Sequence, residues 1–139
     1  MNIISGKEYR EKNSRFFGFF CRCNSLDEFK NFLTEIKKQH KSARHFVYAY
    51  VINQRESNLF DLLPLTEDDE DGLNPLQHFE KQSNAGEPSG CGQGLLSLLH
   101  FNKMQNAAVI VVRYFGGTLL GVGNLIRAYK TAAIQAMEQ

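Results

Sequence analysis

The fold of this chain is decided by the stretch AAVIVVRYFGGTLLGVGNL, residues 107–125. Its apolar first part is typical of a buried strand, and the residues from Val122 onward follow the spacing of an amphipathic helix. Between these two parts lie glycines, which permit backbone conformations and close approaches that a Cβ would prevent. These glycines are Gly116, Gly117, Gly121 and Gly123.

This glycine-rich connection is also a candidate ligand site. The first N–H groups of a helix have no partner within the helix, and they attract anions. Arg113 precedes the glycines and adds a positive charge to the same corner. The alternative is that the glycines serve only a tight turn and close packing between the strand and the helix.

The remaining sequence alternates strand and helix patterns. Ser25 and Glu28 form a capping box at the start of an amphipathic helix. The short apolar pieces 59–60 and 62–63 suggest an additional edge strand. The element order predicts an α+β fold, a two-layer sandwich in which one sheet packs against helices. The predicted strands are 15–23, 43–52 and 106–115, and the predicted helices are 26–39, 95–101 and 122–137.

Length and composition predict one ordinary globular domain. The chain has 139 residues, of which 42% are hydrophobic and 22% are charged, and this balance suits a single packed core. No segment has the apolar length of a signal peptide or a membrane span. Three cysteines cannot form a framework of disulfides, so we expect a reducing, cytoplasmic environment.

The charge is unevenly distributed along the chain. Residues 54–88 contain nine acidic and two basic residues, whereas the rest contains six acidic and fourteen basic residues. Five consecutive acids, 67–71, repel one another and predict an exposed, mobile insert over about 54–83. A basic body favours contact with a polyanion, which the insert would moderate. Alternatively, both regions are only solvated surface.

Several motifs resemble the IMPACT family, which includes bacterial YigZ-like members. They are Ser14-Arg15-Phe16, Ala43-Arg44-His45, Gly86-Glu87-Pro88-Ser89-Gly90 and the block from Ala107 through Tyr129. The resemblance implies a fold like the second domain of ribosomal protein S5. It also implies a role in the control of translation, under nutrient stress in eukaryotic relatives, and contact with nucleic acid or the ribosome in bacterial ones.

The chain departs from this family in three respects. Bacterial relatives continue into a second, ferredoxin-like domain, which we expect to be absent because the sequence stops at Gln139. The N-terminal partner-binding domain of eukaryotic relatives is also not expected. Asn84 and Ala85 stand where the family places two aspartates before its Gly-Glu-Pro, so no metal or acid–base role is expected there.

An enzyme would gather four side chains in one cleft: His45, Glu87, Cys91 and Arg113. Glu87 would act as a base or ligand, and Cys91 as a nucleophile if a nearby cation lowered its pKa. The sequence contains no nucleophile elbow, P-loop or zinc spacing. His45 bonded to the backbone and Cys91 as a small helix-start residue are the simpler interpretations. We therefore predict no catalytic residue, no metal and no cofactor.

We predict instead a translation-associated regulatory or binding module that contacts RNA or the ribosome through the basic glycine-rich corner. The expected form is phosphate-driven binding to structured RNA. Tyr114 or Phe115 would stack on a base if exposed. One alternative is a protein-interaction module that binds a translation-control protein in a stress-response kinase pathway. Another is an enzyme that acts on a small phosphate-bearing molecule. The candidate ligand-binding residues are Glu87, Arg113, Gly116, Gly117, Gly121, Gly123, Arg127 and Lys130.

Overall fold

The computed structural model describes residues 1–55 and 76–139 of the chain. The strands are β1 (Ile4–Ser5), β2 (Tyr9–Glu11), β3 (Ser14–Arg22), β4 (His45–Arg55), β5 (Leu76–Ser83) and β6 (Ala107–Tyr114). The helices are α1 (Leu26–Gln39), α2 (Cys91–Phe101) and α3 (Val122–Met137). None of the described helices is long and apolar enough to cross a membrane.

The strands form one antiparallel sheet with β6 at its centre. The sheet order is β1-β3-β6-β4-β5, and β2 also pairs with β3. In this register Arg113 of β6 lies opposite Phe16 of β3 and opposite His45 of β4. Every β6 residue except Tyr114 is buried, as expected for a strand with neighbours on both edges and helices on both faces.

The helices cover both faces of this sheet. On one face, α2 and α3 pack against apolar side chains that include Phe16, Val109 and Val111. On the other face, α1 packs against Ile110 and Val112. The predicted α+β fold with a sheet packed against helices is confirmed. However, α1 adds a layer to the two that were predicted, because element order does not reveal which face a helix covers.

A glycine in β3 sets how closely α3 approaches the sheet. A Cβ at Gly18 would overlap the backbone carbonyl of Ala132, in the middle of α3. This close approach brings the ring of Tyr129 into edge contact with Phe16, with 5.2 Å between the ring centroids. The packing of α3 therefore places Tyr129 beside the end of β6.

The two long helices have the bounds predicted from sequence. The backbone N–H of Glu28 donates to Ser25 Oγ at 3.1 Å, so Ser25 caps α1 as predicted. By contrast, α2 begins at Cys91, one turn before the predicted Leu95. The Ser25 cap and local periodicity predicted α1, and periodicity alone predicted α3, whereas the glycines in the first turn of α2 obscured its start.

The structure differs most from the prediction around the insert. Strand β4 continues to Arg55, and β5 occupies 76–83, within the range assigned to the insert. Strand β5 lies at the sheet edge and has mostly polar residues, so it lacks the alternation that reveals a strand. Strands β1 and β2 were also missed because each is very short. The suggested strand at 59–63 and the acidic run 67–71 lie outside the described residues.

Candidate functional site at the end of the central strand

Arg113 forms a buried ion pair with Glu87. The Nη1 atom of Arg113 donates to Glu87 Oε2 at 2.7 Å. The two side chains are only 6% and 5% exposed, so protein atoms have replaced most of the water around both charges. Glu87 thus balances the charge of Arg113 within the protein. Removing either partner would leave the other charge buried and uncompensated.

Three other side chains complete what we call the buried polar cluster, which consists of Ser14, His45, Glu87, Arg113 and Tyr129. The Tyr129 hydroxyl donates to Glu87 Oε2, and His45 Nε2 lies 3.7 Å from Glu87 Oε1. Ser14 Oγ accepts from Arg113 Nη2 at 3.3 Å. Burial, followed by the hydrogen bond to Glu87, raises the pKa of Tyr129, so its hydroxyl stays protonated as a donor.

The loop between β5 and α2 delivers Glu87 to this cluster. The N–H of Glu87 donates to the Asn84 carbonyl at 2.8 Å, which closes a turn. Asn84 Oδ1 accepts from the N–H of Gly92 at 2.8 Å, and His45 Nδ1 lies 2.9 Å from the Ala85 carbonyl. Asn84 therefore supports the start of α2. His45 bonds to the backbone, as its simpler interpretation predicted.

The glycines between β6 and α3 fall into two groups. Gly116 packs so tightly that a Cβ would overlap the backbone of Asn13, and its N–H donates to Ser14 Oγ at 3.2 Å. In contrast, a Cβ at Gly117, Gly121 or Gly123 would meet no atom of the described residues within 4 Å. Close packing thus explains Gly116, and the other three border open space.

The start of α3 is open to ligands. Gly121 is the N-cap residue and provides no side-chain hydrogen bond, and the first turn contains no acidic residue. Leu125 N donates to Gly121 O, but in the described part of the chain the N–H groups of Val122, Gly123 and Asn124 have no partner. These three residues are exposed. Unpaired N–H groups at a helix start are favourable sites for an anion.

The two basic residues predicted on α3 lie outside the buried polar cluster. Arg127 is exposed, and its Nη1 atom lies 3.2 Å from Asn124 Oδ1 at the start of the helix. Lys130 is partly buried, and its methylene groups lie next to Gly94 of α2. The structure thus separates Glu87, Arg113 and Gly116, which are internal, from Gly117, Gly121, Gly123 and Arg127, which are exposed.

The protonation of Cys91 argues against the enzyme hypothesis. Burial, assisted by the negative charge of Glu87, raises the pKa of the Cys91 thiol to about 11. At neutral pH the group is therefore a protonated thiol, and a thiolate is the nucleophilic form. His45, Glu87 and Arg113 do lie together, but Cys91 does not supply a nucleophile. Within residues 1–55 and 76–139, no group of three or more His, Cys, Asp or Glu residues is placed to hold a metal ion.

A cleft of about 460 Å³ opens beside the buried polar cluster, between residues 42–45 and 113–115. Arg44 and Phe115 on its walls are exposed, and Tyr114 is half-buried. Sequence reasoning assigned no role to Ser14, Arg44 or Tyr129, although all three occur in the motifs that resembled a known family. Their grouping depends on strand register and on the packing of α3.

This combination of fold and motifs defines a known class of protein. The family described as the Impact N-terminal domain matches residues 12–137. The chain therefore belongs to the IMPACT family, which confirms the resemblance noted in the sequence.

Individual relatives agree with this assignment. The chain is 34% identical over 119 residues to the IMPACT family member YvyE of Bacillus subtilis, covering 85% of this chain and 45% of the relative. It is 30% identical over 129 residues to YigZ of Escherichia coli, covering 92% and 54%. The chain thus spans about half the length of the curated relatives it matches.

Two solved structures share the fold. One is a crystal structure of a protein described as hypothetical, with a TM-score of 0.74 and 26% identity, covering 100% of this chain and 62% of that one. The other is the two-domain translational regulator Yih1, with a TM-score of 0.56 and 19% identity, covering 98% and 46%. At that identity, the similarity to Yih1 concerns the fold alone.

Proposed function

We propose that this protein is a translation-associated binding module that contacts RNA through the exposed start of α3. Membership of the IMPACT family supports the connection with translation, since Yih1, which has the same fold, is described as a translational regulator. A cytoplasmic location is part of this proposal. The partner is RNA, either free or within the ribosome.

The observation that carries this proposal is the set of unpaired N–H groups of Val122, Gly123 and Asn124. Phosphate oxygens accept hydrogen bonds from such groups, and the helix dipole adds a partial positive charge. Arg127 lies one turn further along, and among the described residues the hydrogen-bond partner of its guanidinium group is the neutral Asn124 Oδ1. Backbone donors and arginine are the usual partners of phosphate in protein–nucleic acid complexes.

In this proposal the buried polar cluster has a supporting role. Ser14 Oγ bonds both to Arg113 and to the N–H of Gly116, so the cluster fixes the backbone where the connection to α3 begins. A fixed connection presents its N–H groups without first having to be ordered, which reduces the entropic cost of binding. Glu87 and Arg113 then hold the site in position and do not contact the RNA.

The test is charge reversal on α3. We expect the double variant Arg127→Glu, Lys130→Glu to bind labelled RNA at least about tenfold more weakly than wild type, with a shallower dependence on salt. Fluorescence anisotropy titrations at salt concentrations between about 50 and 200 mM measure the affinity and its salt dependence. In this range the affinity of phosphate contacts changes strongly with salt. Lys103→Glu is the control, because this exposed lysine lies before the opposite end of β6.

Two results would contradict the proposal. If wild-type protein binds neither RNA nor ribosomes at low salt, the function is wrong. If the double variant binds as tightly as Lys103→Glu, the start of α3 is not the contact surface.

A protein partner is the second candidate function, because two large apolar side chains are exposed at the start of α3 and in the connection before it. Leu119 is 82% exposed and Val122 is 52% exposed, and exposed apolar residues that adjoin one another often mark a protein interface. A pull-down from cell lysate with and without nuclease separates the two candidates. Partners that persist after nuclease treatment and are lost in Leu119→Ser favour the protein-interaction module.

A further inference from the structure

We propose a second contact surface, which binds single-stranded RNA. It consists of two clefts that meet at Arg44, and we call it the Arg44 groove. The inference rests on the proposed function, since it specifies the form of RNA and a further part of the protein that touches it. It involves neither the start of α3 nor Arg127.

The groove follows from the position of Arg44 between two cavities. The first cleft, of about 460 Å³, lies between Arg44 and the end of β6 at Tyr114 and Phe115. The second, of about 360 Å³, lies on the other side of Arg44 and is lined by Lys37, Phe46 and other residues of α1, β4 and the end of β5. Arg44 lines both clefts, and a ligand that reaches from one to the other favours an extended chain over a compact small molecule.

The charges along this groove favour an anionic ligand. Arg44 is exposed, and in the described residues its guanidinium group has no ion pair or hydrogen bond. Lys37 lines the second cleft, and its ammonium group lies 5.7 Å from the centre of the Phe46 ring. No Asp or Glu of the described chain lines either cleft. Glu87 balances the charge of Arg113, so Arg44 and Lys37 are the cations available to phosphates.

Aromatic side chains accompany these cations on both sides. Phe115 is 56% exposed in the first cleft, where Tyr114 is half-buried, and half-buried Phe46 and Tyr48 line the second. Unpaired bases stack on aromatic rings, whereas the bases of a duplex are already stacked and paired. A basic groove with aromatic walls is the arrangement that recognises single strands, so we assign it to single-stranded RNA in preference to a duplex.

The test compares two RNA ligands and two groove variants. A fluorescein-labelled unstructured oligonucleotide of about ten nucleotides, a length within the range of single-strand binding sites, is measured against a hairpin duplex of the same base composition. We expect the single strand to bind wild type at least about tenfold more tightly than the duplex does. Arg44→Glu and Phe115→Ala should each weaken single-strand binding about tenfold, and Arg44→Glu should also reduce the salt dependence by about one phosphate contact.

The controls separate loss of contact from loss of fold. Both substituted side chains are exposed, so circular dichroism spectra should match wild type. If Arg44→Glu is nevertheless misfolded, Arg44→Ala takes its place. Lys103→Glu makes the same kind of charge change away from both clefts and should bind within about twofold of wild type, since a distant charge is screened by salt.

Failure of the groove is distinguishable from failure of the proposed function. If Arg44→Glu and Phe115→Ala bind RNA as wild type does, whereas the α3 double variant does not, the groove is wrong and the function stands. Equal binding of duplex and single strand also overturns the groove. If an acidic peptide displaces the RNA from wild type but not from Arg44→Glu, and binds more tightly, a protein segment is the ligand and the groove assignment is wrong.

Discussion

Arg113 and Arg44 line the same cleft, yet their guanidinium groups have opposite surroundings. Arg113 is 6% exposed and donates to Glu87 and Ser14. Arg44 is exposed and has no partner among the described residues. The glycine-rich connection follows Arg113 closely in the chain, and for this reason the sequence predicts Arg113 as an anion-binding residue. A neighbouring carboxylate, rather than proximity to glycines, determines whether an arginine is available to a ligand.

The largest expected effect concerns the stability of the buried pair. We expect Glu87→Ala to lower the free energy of unfolding by about 3–5 kcal/mol, because it leaves the Arg113 charge buried without its partner. Arg44→Met, at an exposed side chain, should change it by less than about 0.5 kcal/mol. Urea unfolding measures both.

The double variant Glu87→Leu, Arg113→Met refines this comparison. Replacing both charges by apolar groups should restore much of the loss, because no buried charge is left unpaired. Similar losses in Glu87→Ala and Arg44→Met would contradict the distinction between the two arginines.

Substitutions of the glycines should have intermediate effects on the free energy of unfolding. Gly116→Ala should destabilise the protein by about 1–3 kcal/mol, because the new Cβ overlaps the Asn13 backbone. Gly123→Ala should stabilise it by up to about 1 kcal/mol, since alanine favours a helix and the site has room. Thermal unfolding of the two variants and the wild type shows whether their stabilities follow this order. If Gly123→Ala stabilises the fold but weakens RNA binding, the open space at Gly123 serves the ligand.

We also expect the Cys91 thiol to be less reactive in the native protein than in the denatured protein. Its pKa is raised from 9.0 to about 11, so the folded state retains a proton that the unfolded state loses. This contribution to stability is therefore complete below about pH 9 and is lost as the pH rises towards 11. Alkylation at pH 8, followed by mass spectrometry, should label Cys91 far more slowly in native than in guanidinium-denatured protein. Rapid native labelling would revive the enzyme hypothesis.

The smallest expected effect concerns the acidic insert. Arg55 and Leu76 are cross-strand partners, so a two-residue Asn-Gly turn can replace residues 56–75 and keep the β4–β5 hairpin. Removing the acidic run should raise RNA affinity a few-fold by relieving repulsion of phosphates. Affinity unchanged from wild type, measured by the same anisotropy titration, would end the idea that the insert masks a basic surface.

The predictable and the missed parts of this molecule differ in the range of their interactions. The apolar run of β6, the Ser25 cap and the spacing of α3 are patterns within a few neighbouring residues, and each predicted its element. The polar edge strand β5 has no such pattern, because pairing with β4 defines it. The candidate site was predicted only in part, since the Arg113–Glu87 bond joins residues 26 positions apart.

The sequence by itself determined the α+β class, the two long helices, the central strand and the IMPACT family. Periodicity, caps and motifs depend only on residues that lie close together in the chain. Only the tertiary structure decided that Arg113 is balanced by Glu87 and that Arg44 is left exposed between two clefts. Burial and charge pairing depend on which side chains meet in space. Here strand register brings Ser14 within hydrogen-bonding distance of Arg113, 99 positions away.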